Sequence, residues 1–297
     1  MHYPSVKFLR GLLLFCLLFA ATAARAARVD TLAIPSAAMR KTYRAAVVLP
    51  ASYAKNKKAS YPVLYLLHGA YGHFGDWLKN TPNQLLLHRL ADQYNLIIVN
   101  PEGETFSFYL DSPVSPESQF ETHLTREVIP AVDQAYRTVR DRRGRVISGL
   151  SMGGHGALYL SARHPDLYCA AGSMSGALDL RSFNRKLSPT DAARRAQLWA
   201  PVLGSEAENP ERFAAHSVLS LVDQMHRNGL PLIIDCGVDD GLLEINREVH
   251  RRLLYGNTPH DYTERPGGHT WEYWQNALPY QVLFLHEVLQ RNGVAVP

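Results

Sequence analysis

The residues of this chain that point most directly to chemistry lie in Gly149-Leu150-Ser151-Met152-Gly153. Such a string arises by chance in about one chain in ten of this length, so its surroundings must carry the argument. Arg145-Val146-Ile147-Ser148 before it reads as a buried strand, and Gly153-Gly154-His155-Gly156-Ala157-Leu158 opens a helix. A serine on that turn must take a strained backbone and project its hydroxyl from the sheet edge. Only hydrogen is tolerated where the two flanking glycines cross. The context predicts that Ser151 is a nucleophile.

A serine hydroxyl attacks well only when a base takes its proton, and the base needs a carboxylate to fix its tautomer and stabilise the imidazolium. With a nucleophile on a strand-to-helix turn, the acid should come next along the chain and the histidine last. Leu232-Ile233-Ile234-Asp235-Cys236-Gly237-Val238-Asp239-Asp240 supplies the acid just past a strand. Asp235 falls inside that strand, and position alone leaves Asp239 and Asp240 open. Four histidines follow. His250 and His286 sit in helical patterns, and His260 precedes the last strand, at the wrong end of the sheet. His269, in the loop Pro266-Gly267-Gly268-His269-Thr270-Trp271, is the base by position.

A tetrahedral intermediate needs preorganised donors for its oxyanion. The Met152 N–H is one. The turn His68-Gly69-Ala70-Tyr71-Gly72, after an early strand, supplies the other from Ala70, with Tyr71 as the alternative. His68 and His73 have no third ligand nearby, so neither a metal nor a cofactor is expected.

These groups need a scaffold. Apolar runs at Arg44–Leu49, Pro62–Leu67, Leu96–Val99, Arg145–Ser148, Cys169–Ser173, Leu232–Cys236 and Tyr262–Arg265 read as strands, several of them buried on both faces. Amphipathic stretches alternate with them at Gln84–Tyr94, Glu117–Tyr136, Gly154–His164, Glu211–Arg227, Leu243–Tyr255 and Trp274–Arg291. The expected fold class is α/β, a mostly parallel sheet with helices on both faces and no separate lid. Thr31–Ile34 and Tyr43–Leu49 have no helix between them and should pair antiparallel at one edge. Residues 101–116 and 176–210 read as long loops overhanging the carboxyl ends of the strands, where such sheets bind ligands.

Composition agrees with one globular domain: 297 residues, 46% hydrophobic and 20% charged. Lys7 and Arg10 precede the apolar run Gly11–Ala21, and small residues lead to Ala24-Arg25-Ala26, the layout of a secretory signal peptide. The expected organisation is a signal segment over 1–26, cleaved near Ala26, and one catalytic domain over 27–297. The apolar run falls short of the roughly 20 residues of a spanning helix, so no stable membrane span is expected after processing. Cys16 follows a bulky Phe15, which argues against lipid attachment. Lys7, Arg10 and Arg25 account for three of the 31 basic residues and 1–26 holds no acid, so 28 basic residues face 27 acidic ones in the remainder. Nothing in that balance points to nucleic acid. Cys169 and Cys236 fall at opposite ends of their strands, too far apart to bond, and read as buried thiols.

The chain resembles the putative-esterase group that contains esterase D or S-formylglutathione hydrolases, feruloyl and acetyl esterases, tributyrin esterases and mycolyltransferases. The matching pieces are Leu66-Leu67-His68-Gly69 with Trp77, Glu127-Val128-Ile129-Pro130, and the run from Gly149 to Ala157. They continue through Ser175-Gly176-Ala177-Leu178-Asp179, Cys236-Gly237-Val238-Asp239-Asp240-Gly241-Leu242 and Gly267-Gly268-His269-Thr270-Trp271, spanning about residues 40–290. The resemblance implies an α/β-hydrolase fold and places the acid on Asp240, in a Gly-x-x-Asp-x-Leu pattern. Gly241 departs from the bulky aromatic usual there and implies a looser acid loop. The leader and the Gly-Leu-Ser-Met-Gly-Gly variant favour the secreted branch over a cytosolic S-formylglutathione hydrolase-like thioesterase. Trp77, Phe106, Phe108, Tyr109 and Tyr71 are candidates to line a pocket for an aromatic acyl group or a sugar ring. The expected activity is that of a serine carboxylesterase, exported to the periplasm or beyond the cell, that hydrolyses short-chain acyl or aromatic-acyl (acetyl- or feruloyl-type) esters, small or carbohydrate-linked. Its rivals are acyl transfer to a sugar or alcohol, peptide cleavage, and a non-catalytic carbohydrate-binding protein that kept the fold.

Overall fold

The computed structural model describes residues 27–181 and 188–295. The expected signal segment, with Cys16, lies outside them. Eight strands form one sheet: β1 (Arg28–Ser36), β2 (Lys41–Leu49), β3 (Val63–Leu67), β4 (Ile97–Pro101), β5 (Arg145–Gly149), β6 (Ala170–Met174), β7 (Leu232–Gly237) and β8 (His260–Arg265). Their order is β1-β2-β4-β3-β5-β6-β7-β8. β1 and β2 pair antiparallel, as the absence of an intervening helix predicts, and β2 also runs antiparallel to β4. Every later pairing is parallel.

The central strands are buried on both faces, and their period of two divides the core. Val63, Tyr65 and Leu67 of β3 join the larger cluster with Ile147, Leu158 and Val249, while Leu64 and Leu66 join the other with Leu90, Trp274 and Leu278. The helices that matter for the site are α1 (Leu86–Tyr94), α2 (Met152–Arg163), α3 (Pro189–Trp199), α4 (Leu243–Tyr255) and α5 (Trp271–Arg291). α1 and α5 cover the smaller cluster; α2 and α4 cover the larger one. Crossovers between parallel strands bring the loops after β3, β5, β7 and β8 to the carboxyl edge of the sheet.

Three elements differ from expectation. The stretch expected as one helix over 117–136 is a single α-helical turn at Phe120–Thr122, a π-helix at His123–Val128 and an α-helix at Ile129–Ala135. Glu211–Arg227 divides into Pro210–Ala215, a 3-10 turn at Val218–Leu221 and Val222–Asn228. The expected loop over 176–210 contains α3, whose start is well specified: Pro189 needs no N–H partner in the first turn, and the Ser188 hydroxyl accepts from the Asp191 N–H. Cys169 precedes β6 and Cys236 is the penultimate residue of β7; both are buried free thiols. Burial pushes Cys169 up to about 11 and Cys236 higher still.

Candidate active site

Ser151 stands between β5 and α2 with φ 53° and ψ −114°, a backbone that L residues rarely adopt. The turn survives because its neighbours fix it. Ser151 N–H donates to the Met174 carbonyl at 2.9 Å, and Gly153 N–H to that of Leu150 at 2.6 Å. A β-carbon on Gly149 would lie 2.5 Å from the Gly153 carbonyl group, and one on Gly153 would lie 2.6 Å from the Leu67 and His68 oxygens. Both glycines are therefore required by close approach of backbone to backbone.

His269 Nε2 lies 2.9 Å from Ser151 Oγ, and its Nδ1 lies 2.9 Å from Asp240 Oδ2. An acceptor-only carboxylate at Nδ1 puts the ring proton there and leaves Nε2 free to take the serine proton. Asp240 is 6% exposed, and its second oxygen accepts the Leu242 N–H at 2.8 Å. Burial would raise its carboxyl, but the bond and charge of His269, with the Leu242 N–H, outweigh that and hold it below the ordinary value. Asp239, the alternative acid, is exposed. Its N–H donates to the Gly267 carbonyl at 3.0 Å, and its Oδ2 accepts the Gly267 N–H at 3.3 Å. It ties the acid loop to the histidine loop, while the imidazole Nδ1 is bonded to Asp240. The Trp274 ring meets His269 edge-on at 4.8 Å.

Met152 is the first residue of α2, so its N–H has no intrahelical acceptor and opens on the positive end of the helix dipole. The two expectations for the second donor separate cleanly. The Tyr71 N–H donates to the Thr105 carbonyl at 2.7 Å and is spent. Among the described residues the Ala70 N–H carries no such partner, and Gly69 packs against Leu150 and Ser151. The turn that holds Ala70 is clamped by the loop after β4. Gly103 N–H donates to His68 Nε2 at 2.9 Å, and Tyr109 Oη–H donates to the His68 carbonyl at 3.0 Å. His68 is thus a buried scaffold histidine, and among the described residues no group of three or more His, Cys, Asp or Glu could hold a metal ion.

A cleft of about 760 Å³ opens over these groups. Of the candidates named from sequence, Tyr71, Phe106 and Phe108 line it. Trp77 and Tyr109 do not, which corrects the expectation for both. Trp77 is 1% exposed with its indole N–H on the Leu67 carbonyl at 3.1 Å, and Tyr109 is fully buried with its hydroxyl spent on His68. Trp271, Trp274, Ile245 and Arg195 line the cleft unforeseen. For the tryptophans the signal was the cap. Thr270 Oγ accepts the Tyr273 N–H at 3.4 Å, so α5 begins at Trp271 and sets Trp271 and Trp274, three apart, on one face beside His269.

Comparison with known proteins finds relatives over most of the chain. A family model described as putative esterase matches residues 36–285. The acetyl esterase of Caldicellulosiruptor saccharolyticus is 29% identical over 221 residues, 72% of this chain and 79% of that protein. The diacylglycerol acyltransferase/mycolyltransferase Ag85A of Mycobacterium bovis strain BCG is 35% identical over 253 residues, 73% of this chain and 70% of its own. A solved ferulic acid esterase superposes with a TM-score of 0.75 at 29% identity, covering 89% of this chain and 99% of that one. With its α/β-hydrolase fold, the chain belongs to the putative esterase family and is a carboxylic ester hydrolase.

Proposed function

We propose that this protein is an exported serine esterase that cleaves short-chain or aromatic acyl esters, free or carbohydrate-linked, through an acyl-enzyme on Ser151. The observation that carries the reading is the unbroken line from Asp240 through His269 to Ser151, with 2.9 Å at each step. His269 Nε2 takes the Ser151 proton as Oγ bonds to the ester carbonyl carbon, and the carbonyl electron pair moves onto oxygen. The Met152 and Ala70 N–H groups hold that oxyanion. As the oxyanion collapses, the bond to the alcohol oxygen breaks and His269 gives it the proton. Water then enters, loses a proton to His269, attacks the acyl carbon, and the acid leaves as Ser151 regains its hydrogen. No cofactor takes part in this cycle.

Substrate class follows from the walls and the relatives. Phe106, Phe108, Trp271 and Trp274 offer flat apolar surfaces suited to an aromatic acyl group or a sugar ring. An acetyl esterase and a ferulic acid esterase among the similar proteins fit the same range. The layout of residues 1–26 supports export with removal of that segment, leaving one domain over 27–297; amino-terminal sequencing of the exported protein should begin near Ala27.

The test is turnover of p-nitrophenyl acetate, butyrate and ferulate esters by the protein and its Ser151→Ala variant. A drop of at least about 1000-fold in the variant is expected on the best substrate. Equal rates would sink the reading. The 35% identity to a protein named as an acyltransferase favours one second reading, transfer of the acyl group to an alcohol. Product analysis with added glycerol or a sugar separates the two, since transfer yields a new ester where hydrolysis yields free acid.

A further inference from the structure

Asp235 is a carboxylate in the middle of a core strand, 1% exposed, on the face of β7 that packs under α5 rather than at the site itself. Both of its oxygens are engaged. Oδ1 accepts the Tyr273 hydroxyl at 2.5 Å, and Oδ2 accepts from the Arg265 guanidinium. Arg265 is the last residue of β8, and Tyr273 lies in the first turn of α5. They stand four residues to either side of His269. One buried charge therefore grips both ends of the loop that carries the imidazole.

The register makes this grip possible. Gly237 is the partner of Arg265, and Asp235, two residues back on the same strand, shares its face, so the guanidinium reaches the carboxylate diagonally. The loop between the two anchors is otherwise slight. Gly267, at φ 128°, crosses so close over Gly237 that a β-carbon on the latter would meet the Gly267 oxygen at 2.1 Å, and over Tyr273 so that its own β-carbon would meet that ring at 2.7 Å. Tyr273 is thus both an anchor through its hydroxyl and the floor on which the loop rests. Asp239 adds a third tie through the Gly267 amide.

We infer that Asp235, acting through Arg265 and Tyr273, is a positioning residue that sets the height and tilt of His269 over Ser151. The inference rests on the proposed role of His269 as the base. A misplacement of about 1 Å in such a relay is worth on the order of 100-fold in rate. The anchors are not among the residues that line the cleft, so releasing them should lower kcat and leave KM where it was.

The experiment compares the full chain with Tyr273→Phe, Arg265→Gln, Asp235→Asn and the double variant Asp235→Asn/Tyr273→Phe, using p-nitrophenyl butyrate and thermal unfolding. Tyr273→Phe keeps the ring under Gly267 and removes only the hydroxyl, so it tests the tie even if the Asp235 variant fails to fold. A fall in kcat of about 10-fold for Tyr273→Phe with KM unchanged is expected, and about 100-fold for Asp235→Asn. In the Asp235→Asn background the second change should add less than about 2-fold, because both act through one contact. Unchanged kcat in folded Tyr273→Phe and Arg265→Gln overturns the inference, as do equal changes in KM. His269→Ala, measured alongside, isolates the premise: if it retains wild-type activity the esterase mechanism fails, whereas a silent Tyr273→Phe beside a dead His269→Ala refutes only the positioning role.

Discussion

Two adjacent aspartates give the sharpest contrast in the molecule. Asp240→Asn keeps the size of the side chain but replaces the acceptor facing His269 Nδ1 at 2.9 Å with a group that can donate. The imidazole then turns its proton toward Ser151 and loses its ability to act as a base. The imidazolium of the transition state also loses its counter-charge. With charge centres about 4 Å apart and an effective dielectric near 20, that attraction is about 4 kcal/mol, or about 1000-fold in rate. Loss of the correct tautomer carries the expected fall in kcat to about 10⁴-fold. Asp239→Asn keeps an amide oxygen able to accept the Gly267 N–H and removes only the charge from one long bond at an exposed position, worth about 1 kcal/mol or less, so kcat should fall by no more than about 5-fold. Steady-state kinetics on one activated ester, with equal far-UV spectra and melting temperatures as the folding control, measures both. Comparable losses for the two variants, or a larger loss for Asp239→Asn, would refute the assignment of the acid.

Stability predictions follow from buried polar groups away from the chemistry. His155 in α2 is fully buried, its Nε2 bonded to the His216 carbonyl at 2.8 Å and its ring stacked on Tyr159 at 5.4 Å, and burial lowers it from 6.5 to about 4. The unfolded chain takes up this proton below pH 6.5 and the native one only near pH 4, so stability falls as pH drops through that window. The total is on the order of 3 kcal/mol, at up to about 1.4 kcal/mol per pH unit. Urea unfolding from pH 7 to 5 should show that extra slope in the wild type relative to His155→Gln; parallel curves would contradict it. Trp77→Phe removes the indole bond to the Leu67 carbonyl, leaving it only the longer bond from the Leu150 N–H at 3.4 Å, and opens a void beside Trp271, at a cost of about 1–3 kcal/mol in a denaturant titration. Because Trp77 is outside the cleft, the ratio of acetyl to feruloyl ester turnover should not change.

What could be read from sequence, and what could not, divides along physical lines. The strands were legible because burial on both faces leaves unbroken apolar runs, and the loops after β5, β7 and β8 were legible from glycines that close contacts demand. Position alone could not separate Asp239 from Asp240, since both follow β7 and only the turn of the chain at Gly237 aims one at His269. Trp77 and Tyr109 misled because an aromatic near a site pattern gives no sign of whether its polar atom is already bound to backbone. Asp235 was set aside as a strand residue, correctly, yet a lone carboxylate in a core strand demands partners. Its partners lie 30 and 38 positions away, Arg265 and Tyr273, a distance no local pattern bridges.

The central claim is that Ser151 carries the acyl group between the two halves of the reaction. Acid quenching shortly after mixing with p-nitrophenyl butyrate, then proteolysis and mass spectrometry of the peptides, measures this directly. The account predicts a butyryl group on the peptide containing Ser151, absent from Ser151→Ala. A butyryl group on any other residue during turnover, or steady turnover with no acylated peptide in the Ser151→Ala protein, would contradict it.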